Sequence, residues 1–380
     1  MSEIYARIAG GVARFDAEDW DRCAGTANPF TTHAFLAALE ESGSVTARAG
    51  WQPVPIAIDG PDGKPAAVMP AYVKSHSQGE YVFDQSWAAA YERAGGEYYP
   101  KLQIAVPFTP VPGRRLLTAD PELAVALIGA AEAVVRQNGL SSAHATFISA
   151  DEVELFERAG WLIRIDSQFH WHNDGYSGFD DFLASLSSRK RKALRKERAA
   201  ALAGLAVEHV SGAAITEAHW DAFWVFYQDT SARKWGHPYL TRDFFSRLGE
   251  TMAERVLLVF ALRDGQPVAG ALNLIGEDTL YGRYWGAVVD LPHLHFEICY
   301  YQAIDAAIAR GLKRVEAGAQ GAHKLSRGYR PVPTWSAHFL VDPSLRRAVA
   351  GFLEAERQAV LDEIDALDQM SPFRKGEGGA

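Results

Sequence analysis

Between Arg314 and His338 the chain reads RVEAGAQGAHKLSRGYRPVPTWSAH, a run in which side chains capable of chemistry are spaced by glycines. Glu316, predicted at the end of a short strand, can bind an amine or take a proton from it. Gln320 and the backbone amides near Gly318 and Gly321 can donate to a developing oxyanion. His323 suits a base or proton shuttle because an imidazole titrates near neutrality, and Lys324, Arg327 and Arg330 suit phosphate or carboxylate. The glycines let the backbone turn or approach a ligand closely. A solvated loop with a few satisfied polar groups is the plain alternative.

A second chemical feature is the basic run SSRKRKALRKERAAAL from Ser187, which packs Arg189, Lys190, Arg191, Lys192, Arg195, Lys196 and Arg198 into ten positions of a chain whose net charge is −9. Ser187 or Ser188 can cap a helix there, and the spacing puts Arg191 and Arg195 on one face. A phosphate clamp for a nucleotide-like cofactor and a track for an RNA backbone both fit. So does a solvated face balanced by Asp180, Asp181 and Glu197. The cluster His293-Leu294-His295-Phe296-Glu297 holds three potential metal ligands but lacks the H-E-x-x-H spacing, so we expect no metal and place Glu297 in a pocket or first helical turn.

These residues need a scaffold, and composition supplies the material. The chain has 380 residues, 48% hydrophobic and 22% charged, which describes an ordinary globular protein large enough for two domains. The acidic balance argues against coating nucleic acid or anionic membrane by bulk charge. Cys23 and Cys299, the only cysteines, suit small core residues of a reduced protein without a disulfide framework. The amino terminus mixes charges where a signal peptide needs an apolar run, and no segment offers the roughly 18 apolar residues of a membrane span. The expectation is a cytoplasmic protein.

Two stretches share one plan. PVPIAIDGPDGKPAAVMPAYV and RVLLVFALRDGQPVAGALNLI each read as strand, turn and strand around Gly63 or Gly265, and each is followed by an Ala-rich helix stopped at Gly139 or Gly311. The first spacing is longer by about 30 residues, which points to an aromatic-rich insertion at about 75–113. Its Trp87, Tyr91, Tyr98 and Tyr99 form either core or a wall for a substrate. A hairpin, helix and strand repeated twice gives an α/β architecture with mixed central sheets. Asn173 to Gly178 reads as a linker, and Leu345 to Leu367 as a helix.

Three blocks together carry a resemblance that covers nearly the whole chain. The first runs from Phe83-Asp84-Gln85-Ser86-Trp87 through Tyr98-Tyr99-Pro100-Lys101-Leu102 to Pro107-Phe108-Thr109-Pro110-Val111-Pro112-Gly113. The second is Arg189 to Arg198, and the third joins Phe296 to Gln302 with Glu316 to Lys324. The chain resembles the FemAB-like peptidoglycan biosynthesis or recognition proteins of the GNAT acyltransferase superfamily. The resemblance implies tandem GNAT-like domains: 1–172 with the insertion, 173–344 with the basic helix, and a helical tail at 345–380. It also implies an N-acyltransferase that moves an activated acyl or aminoacyl group to an amine of a small molecule or cell-wall precursor. On that reading Glu316, Gln320 and His323 are catalytic. Lys324, Arg327, Tyr329, Trp87, Tyr91 and Glu297 bind substrate, and Arg191 and Arg195 hold donor phosphates. No cofactor is held tightly, and acyl-CoA or aminoacyl-tRNA serves as co-substrate; tRNA is then a partner and DNA is not. One departure stands out: Trp285 to His295 lacks the glycine loop whose amides hold pyrophosphate in CoA-using GNAT enzymes. That weakens the case for CoA. A non-catalytic ligand-recognition protein that keeps the fold is the alternative.

Overall fold

A computed structural model describes residues 5–235, 238–318 and 321–374. The chain divides into two compact units: one comprises Met1–Asp166 with Pro333–Asp362, the other Ser167–Val332 with Glu363–Ala380.

In the first unit, strands β1 (Ala6–Ile8), β3 (Ile56–Asp59) and β4 (Pro65–Met69) form a small antiparallel sheet, while β2 (Trp51–Pro53), β5 (Ala71–Lys74), β6 (Lys101–Ile104) and β7 (Ser142–Ile148) belong to a larger one. The expected hairpin at Gly63 is β3–β4. Pro55 lies between β2 and β3, and Pro70 between β4 and β5, so the same two chain segments feed both sheets; proline cannot donate to a ladder and marks such breaks. Helix α1 (Ala17–Ala24) and helix α2 (His33–Glu41) precede the strands, and α3 (Gln85–Arg93) leads into β6. Strands β6 and β7 pair in parallel, joined through α4 (Pro121–Gln137), whose chain turns at Gly139 with φ of 63°. A short α5 (Val153–Arg158) leads to β8 (Leu162–His172).

One face of the first unit's large sheet is apolar: Leu102, Ile104, Ala143, Ala145, Ala337 and Phe339 pack against α4. The other face is polar. It carries Tyr72 and Lys74 from β5, Lys101 and Gln103 from β6, His144 and Thr146 from β7, then Ser336 and His338 from the strand beside β7, and none of these is more than 3% exposed.

The second unit begins within β8 and continues through α6 (Phe179–Ser185), α7 (Ser188–Ala201), β9 (Ala206–Ser211), α8 (Glu217–Trp235) and α9 (Arg242–Met252). Strands β10 (Val256–Arg263), β11 (Gln266–Ile275) and β12 (Thr279–Ala287) are successive antiparallel neighbours, turning at Gly265 as expected. A helix in three pieces follows: α10 (Leu294–Phe296), a π-helical turn at Glu297–Tyr301, and α11 (Gln302–Ala309). It crosses over to β13 (Arg314–Glu316), which lies parallel to β12 and antiparallel to the end of β8. The core is built from Trp171, Leu257, Val259, Leu280, Ile304 and Val315. Strand β14 (Arg330–Leu340) then leaves this unit for the first, where it pairs with β7, and α12 (Pro343–Gln369) follows.

Three expectations about organisation are corrected. The division is not linear at 172/173, because β8 and β14 each pass from one unit into the other; Asn173 to Gly178 is a turn inside the second unit. Residues after 344 are not a separate tail: Leu345, Val349 and Leu353 of α12 are buried with Trp87 and Tyr98 in the first unit. The stretch 75–113 is not wholly an insertion, since it contains the central strand β6.

Candidate functional site

Strands β12 and β13 pair at Thr279 with Arg314, Leu280 with Val315 and Tyr281 with Glu316, and there the pairing ends while β12 runs on to Ala287. Glu316 therefore stands where two parallel strands part, at their carboxyl ends, the place where α/β sheets take ligands. Val315 faces the core, so Glu316 faces the opposite side of the sheet by strand alternation. Its side chain is buried, yet Oε2 has no hydrogen-bond partner. The nearest basic groups lie beyond hydrogen-bond reach, Arg314 Nε at 3.9 Å from Oε1 and the neutral His170 Nε2 at 3.9 Å from Oε2. Burial therefore dominates and pushes the carboxyl up to about 7. Close by, the buried Asn273 amide donates to the Leu257 carbonyl and leaves its oxygen unpartnered.

Beyond Glu316 a short 3-10 helix, Ala322–Arg327, brings the next candidates in. Lys324 is buried and donates to the Gly318 carbonyl at 2.8 Å, which ties this helix to the end of β13. His323 is exposed, and its Nε2 lies 3.0 Å from the Tyr300 hydroxyl. Partial burial, with Arg327 and Lys324 nearby, lowers its pKa and favours the neutral ring. Arg327 lies 3.4 Å over the Phe296 ring and donates to the His323 carbonyl and to Glu197 of α7.

Glu197 also accepts from the Tyr301 hydroxyl at 2.6 Å, and Arg198 reaches Glu297 and Asp305. These contacts lock the carboxyl half of the basic helix against the π-helical turn. The amino half is different. Arg189, Lys190, Arg191 and Lys192 have no ion-pair partner among the described residues, and the first turn contains no acid. Arg195 meets only Asp180, a pair exposed on both sides, and such pairs contribute little.

The other expected site residues are dispersed. Gln320 lies outside the described residues. Glu297 is fully buried; its Oε1 accepts from Arg198 and Gln302, while Oε2 has no hydrogen-bond partner. Tyr329 is fully buried in the second unit's core, its ring 5.5 Å from that of Tyr300. Trp87 and Tyr91 belong to α3 of the first unit, Trp87 being buried against His338 and Tyr91 half-buried. Two residues escaped the sequence reading: His170 and Asn273. The alternation in Gln168-Phe169-His170-Trp171-His172 shows that His170 shares a face with Gln168, but its pairing with Glu316 joins positions far apart in sequence.

One parallel strand pair per unit, each crossed by a helix within antiparallel neighbours, defines a tandem GNAT-like α/β protein, and the parting of β12 and β13 gives the second unit an open strand end. A family model described as FemAB-like, peptidoglycan biosynthesis/recognition, matches residues 11–375, and the chain belongs to that family. Among solved structures it is similar to FemX, with 12% identity and a TM-score of 0.55 over 89% of this chain and 99% of that one. L-PGS from Bacillus licheniformis matches with 11% identity and a TM-score of 0.51 over 87% and 98%. The C-terminal domain of a putative lysylphosphatidylglycerol synthetase from Agrobacterium fabrum matches with 12% identity and 0.51 over 82% and 95%. No curated protein matches. Among the described residues no helix is long and apolar enough to cross a membrane.

Proposed function

We propose that the protein transfers an aminoacyl group from an activated ester to an amine of a cell-wall or lipid precursor, with Glu316 as the base. The observation that carries this reading is a buried carboxyl with an unpartnered oxygen and a pKa near 7, at the parting of two parallel strands. An ammonium acceptor gives one proton to Glu316 and attacks the ester carbonyl. The tetrahedral oxyanion collapses, the nitrogen sheds its second proton, and the alcohol leaves with one. One proton is released overall. His170, neutral because burial lowers its pKa to about 3, can accept or donate a hydrogen bond beside the attacking nitrogen. The Tyr300–His323 pair is a candidate to protonate the leaving oxygen.

The donor reading rests on two features. At the helix start after β12, Pro292 lacks an N–H and His293 adopts φ of 66°, so this turn does not offer the row of glycine amides that suits pyrophosphate. The amino half of α7 supplies unpaired cations instead, in a first turn where the helix dipole favours anions. Aminoacyl-tRNA fits both. Transfer assays with aminoacyl-tRNA and with acyl-CoA thioesters decide it: activity with the first, falling steeply with salt, is the expected result. Arg191→Ala with Arg195→Ala should weaken tRNA binding tenfold or more for each lost contact, from roughly 1.5–3 kcal/mol per charge-assisted contact. Unchanged binding at low salt would reduce the basic run to a solvated face. Binding without transfer to any amine would favour the recognition role.

A further inference from the structure

The polar face of the first unit's large sheet belongs to a different unit from the site above and has no part in the proposed reaction. At its centre Lys101, wholly buried, spends all three N–H groups: on Ser77 at 2.8 Å, on Glu80 Oε2 at 2.8 Å and on Asp84 Oδ2 at 2.5 Å. Asp84 Oδ2 also accepts from the Tyr98 hydroxyl at 2.7 Å. The second oxygen of each carboxylate, Glu80 Oε1 and Asp84 Oδ1, has no partner, although Glu80 is 4% and Asp84 2% exposed. The neighbouring Gln103 Oε1 and the Trp87 indole N–H are unpartnered as well. Lys74, the other buried ammonium, does not fill the gap: its Nζ donates to the Gln78 carbonyl and lies 3.6 Å over the Trp51 ring.

Two carboxylates thus share one bound ammonium, and both keep an oxygen in reserve. Water can satisfy the two free oxygens, but only a second cation lets both buried carboxylates ionise together, which a single ammonium does not favour. We propose that this cluster is a binding site for an alkylammonium group, which would donate to Glu80 Oε1, Asp84 Oδ1 and a neighbouring acceptor such as Gln103 Oε1. Helix α3 covers the site. Asp84 occupies its N-cap position, yet the carboxylate makes no capping bond and is turned to Lys101 and Tyr98. Entry therefore requires the Asp84 end of α3 to lift, and Gly79 and Gly95, with φ of 81° and 86°, flank the segment that would move.

The titratable groups around the two carboxylates are Lys101, Lys74, Tyr98, Tyr99, His144 and His338, with Arg164 beside the two histidines. Among them burial holds both imidazoles neutral. Burial also raises Glu80 to about 7, while Lys101 helps hold Asp84 far below its usual range. Below about pH 7 the ligand-free site keeps a proton on Glu80, and an arriving ammonium displaces that proton.

The test uses the full chain with n-butylammonium as probe, n-butanol as neutral control, and sodium chloride at matched ionic strength. We expect n-butylammonium alone to slow amide exchange across residues 79–96. Calorimetry should show affinity rising with pH through about 7 and a proton released on binding. Glu80→Gln should weaken binding about tenfold or more, the loss of one charge-assisted contact. Asp84→Asn provides a second variant should the first fail to fold. Glu316→Gln must leave this binding unchanged, which separates the outcome from the fate of the proposed transfer reaction. Equal protection by butanol or salt, or parent-like affinity in a folded Glu80→Gln or Asp84→Asn variant, would overturn the proposal.

Discussion

Glu316 is the residue on which most turns. A base must be deprotonated, so the transfer rate should rise with pH through about 7 and then level off, and Glu316→Gln should lose roughly 10²–10⁴-fold in rate at pH 8. Stability moves in the opposite sense. The folded carboxyl titrates near 7 and the unfolded one near 4.5, so as pH rises between these values the unfolded chain sheds its proton first and the folded state is penalised. The penalty approaches the order of 3 kcal/mol above pH 7. Glu316→Gln should thus match the parent's melting temperature near pH 4.5 and exceed it at pH 8, by calorimetry at both pH values. A variant inactive but less stable at pH 8 would mean that Glu316 is held by contacts rather than kept free. His170 gives the converse sign: its folded pKa is depressed, so the stability it contributes is present above about 6.5 and is lost as pH falls below that.

Strand β12 flanks the site, pairing with β13 up to Glu316, and its position depends on Gly286. A Cβ there would lie 2.0 Å from the Phe226 carbonyl oxygen and 2.8 Å from Thr230 Oγ1, so α8 packs its backbone directly on the strand. Gly286→Ala should cost about 1–3 kcal/mol or more through forced separation, seen as a lower melting temperature, and should slow transfer by shifting β12. Much at this scale was legible beforehand. The turns at Gly63 and Gly265, the helices stopping near Gly139 and Gly311, and the basic helix from Ser188 follow local rules of turn and helix chemistry. What escaped depends on pairing across the chain. Tyr72, Lys101, His144 and His338 alternate with apolar neighbours and read as a half-exposed sheet; only α3 and the strands on either side make that face an interior. Likewise the sequence places Glu297 in a pocket or first helical turn; the structure puts it in the first turn of the π-helical segment, and its bond to Arg198, remote in sequence, could not be read beforehand.

For the whole molecule the exchanged strands have a direct consequence. Residues 1–172, which sequence would offer as a domain, lack β14 and the part of α12 that covers Trp87. That fragment should fail to unfold cooperatively by circular dichroism, and adding residues 333–362 through a linker should restore a transition. Cooperative unfolding of 1–172 alone would show that β14 is an accessory. The same feature imposes an order on the protein's birth. Strand β7 leaves the ribosome long before its neighbour β14, with some 166 residues of the other unit made in between. At about 5–20 residues per second that is a wait on the order of 10–30 seconds. Throughout it, the edge of β7 that will receive β14 has unpaired backbone groups, and His144 lacks the imidazole it will bond. An open sheet edge recruits other strands, so the first unit is the part of a nascent chain that a holding chaperone should occupy, and release should wait until β14 has emerged.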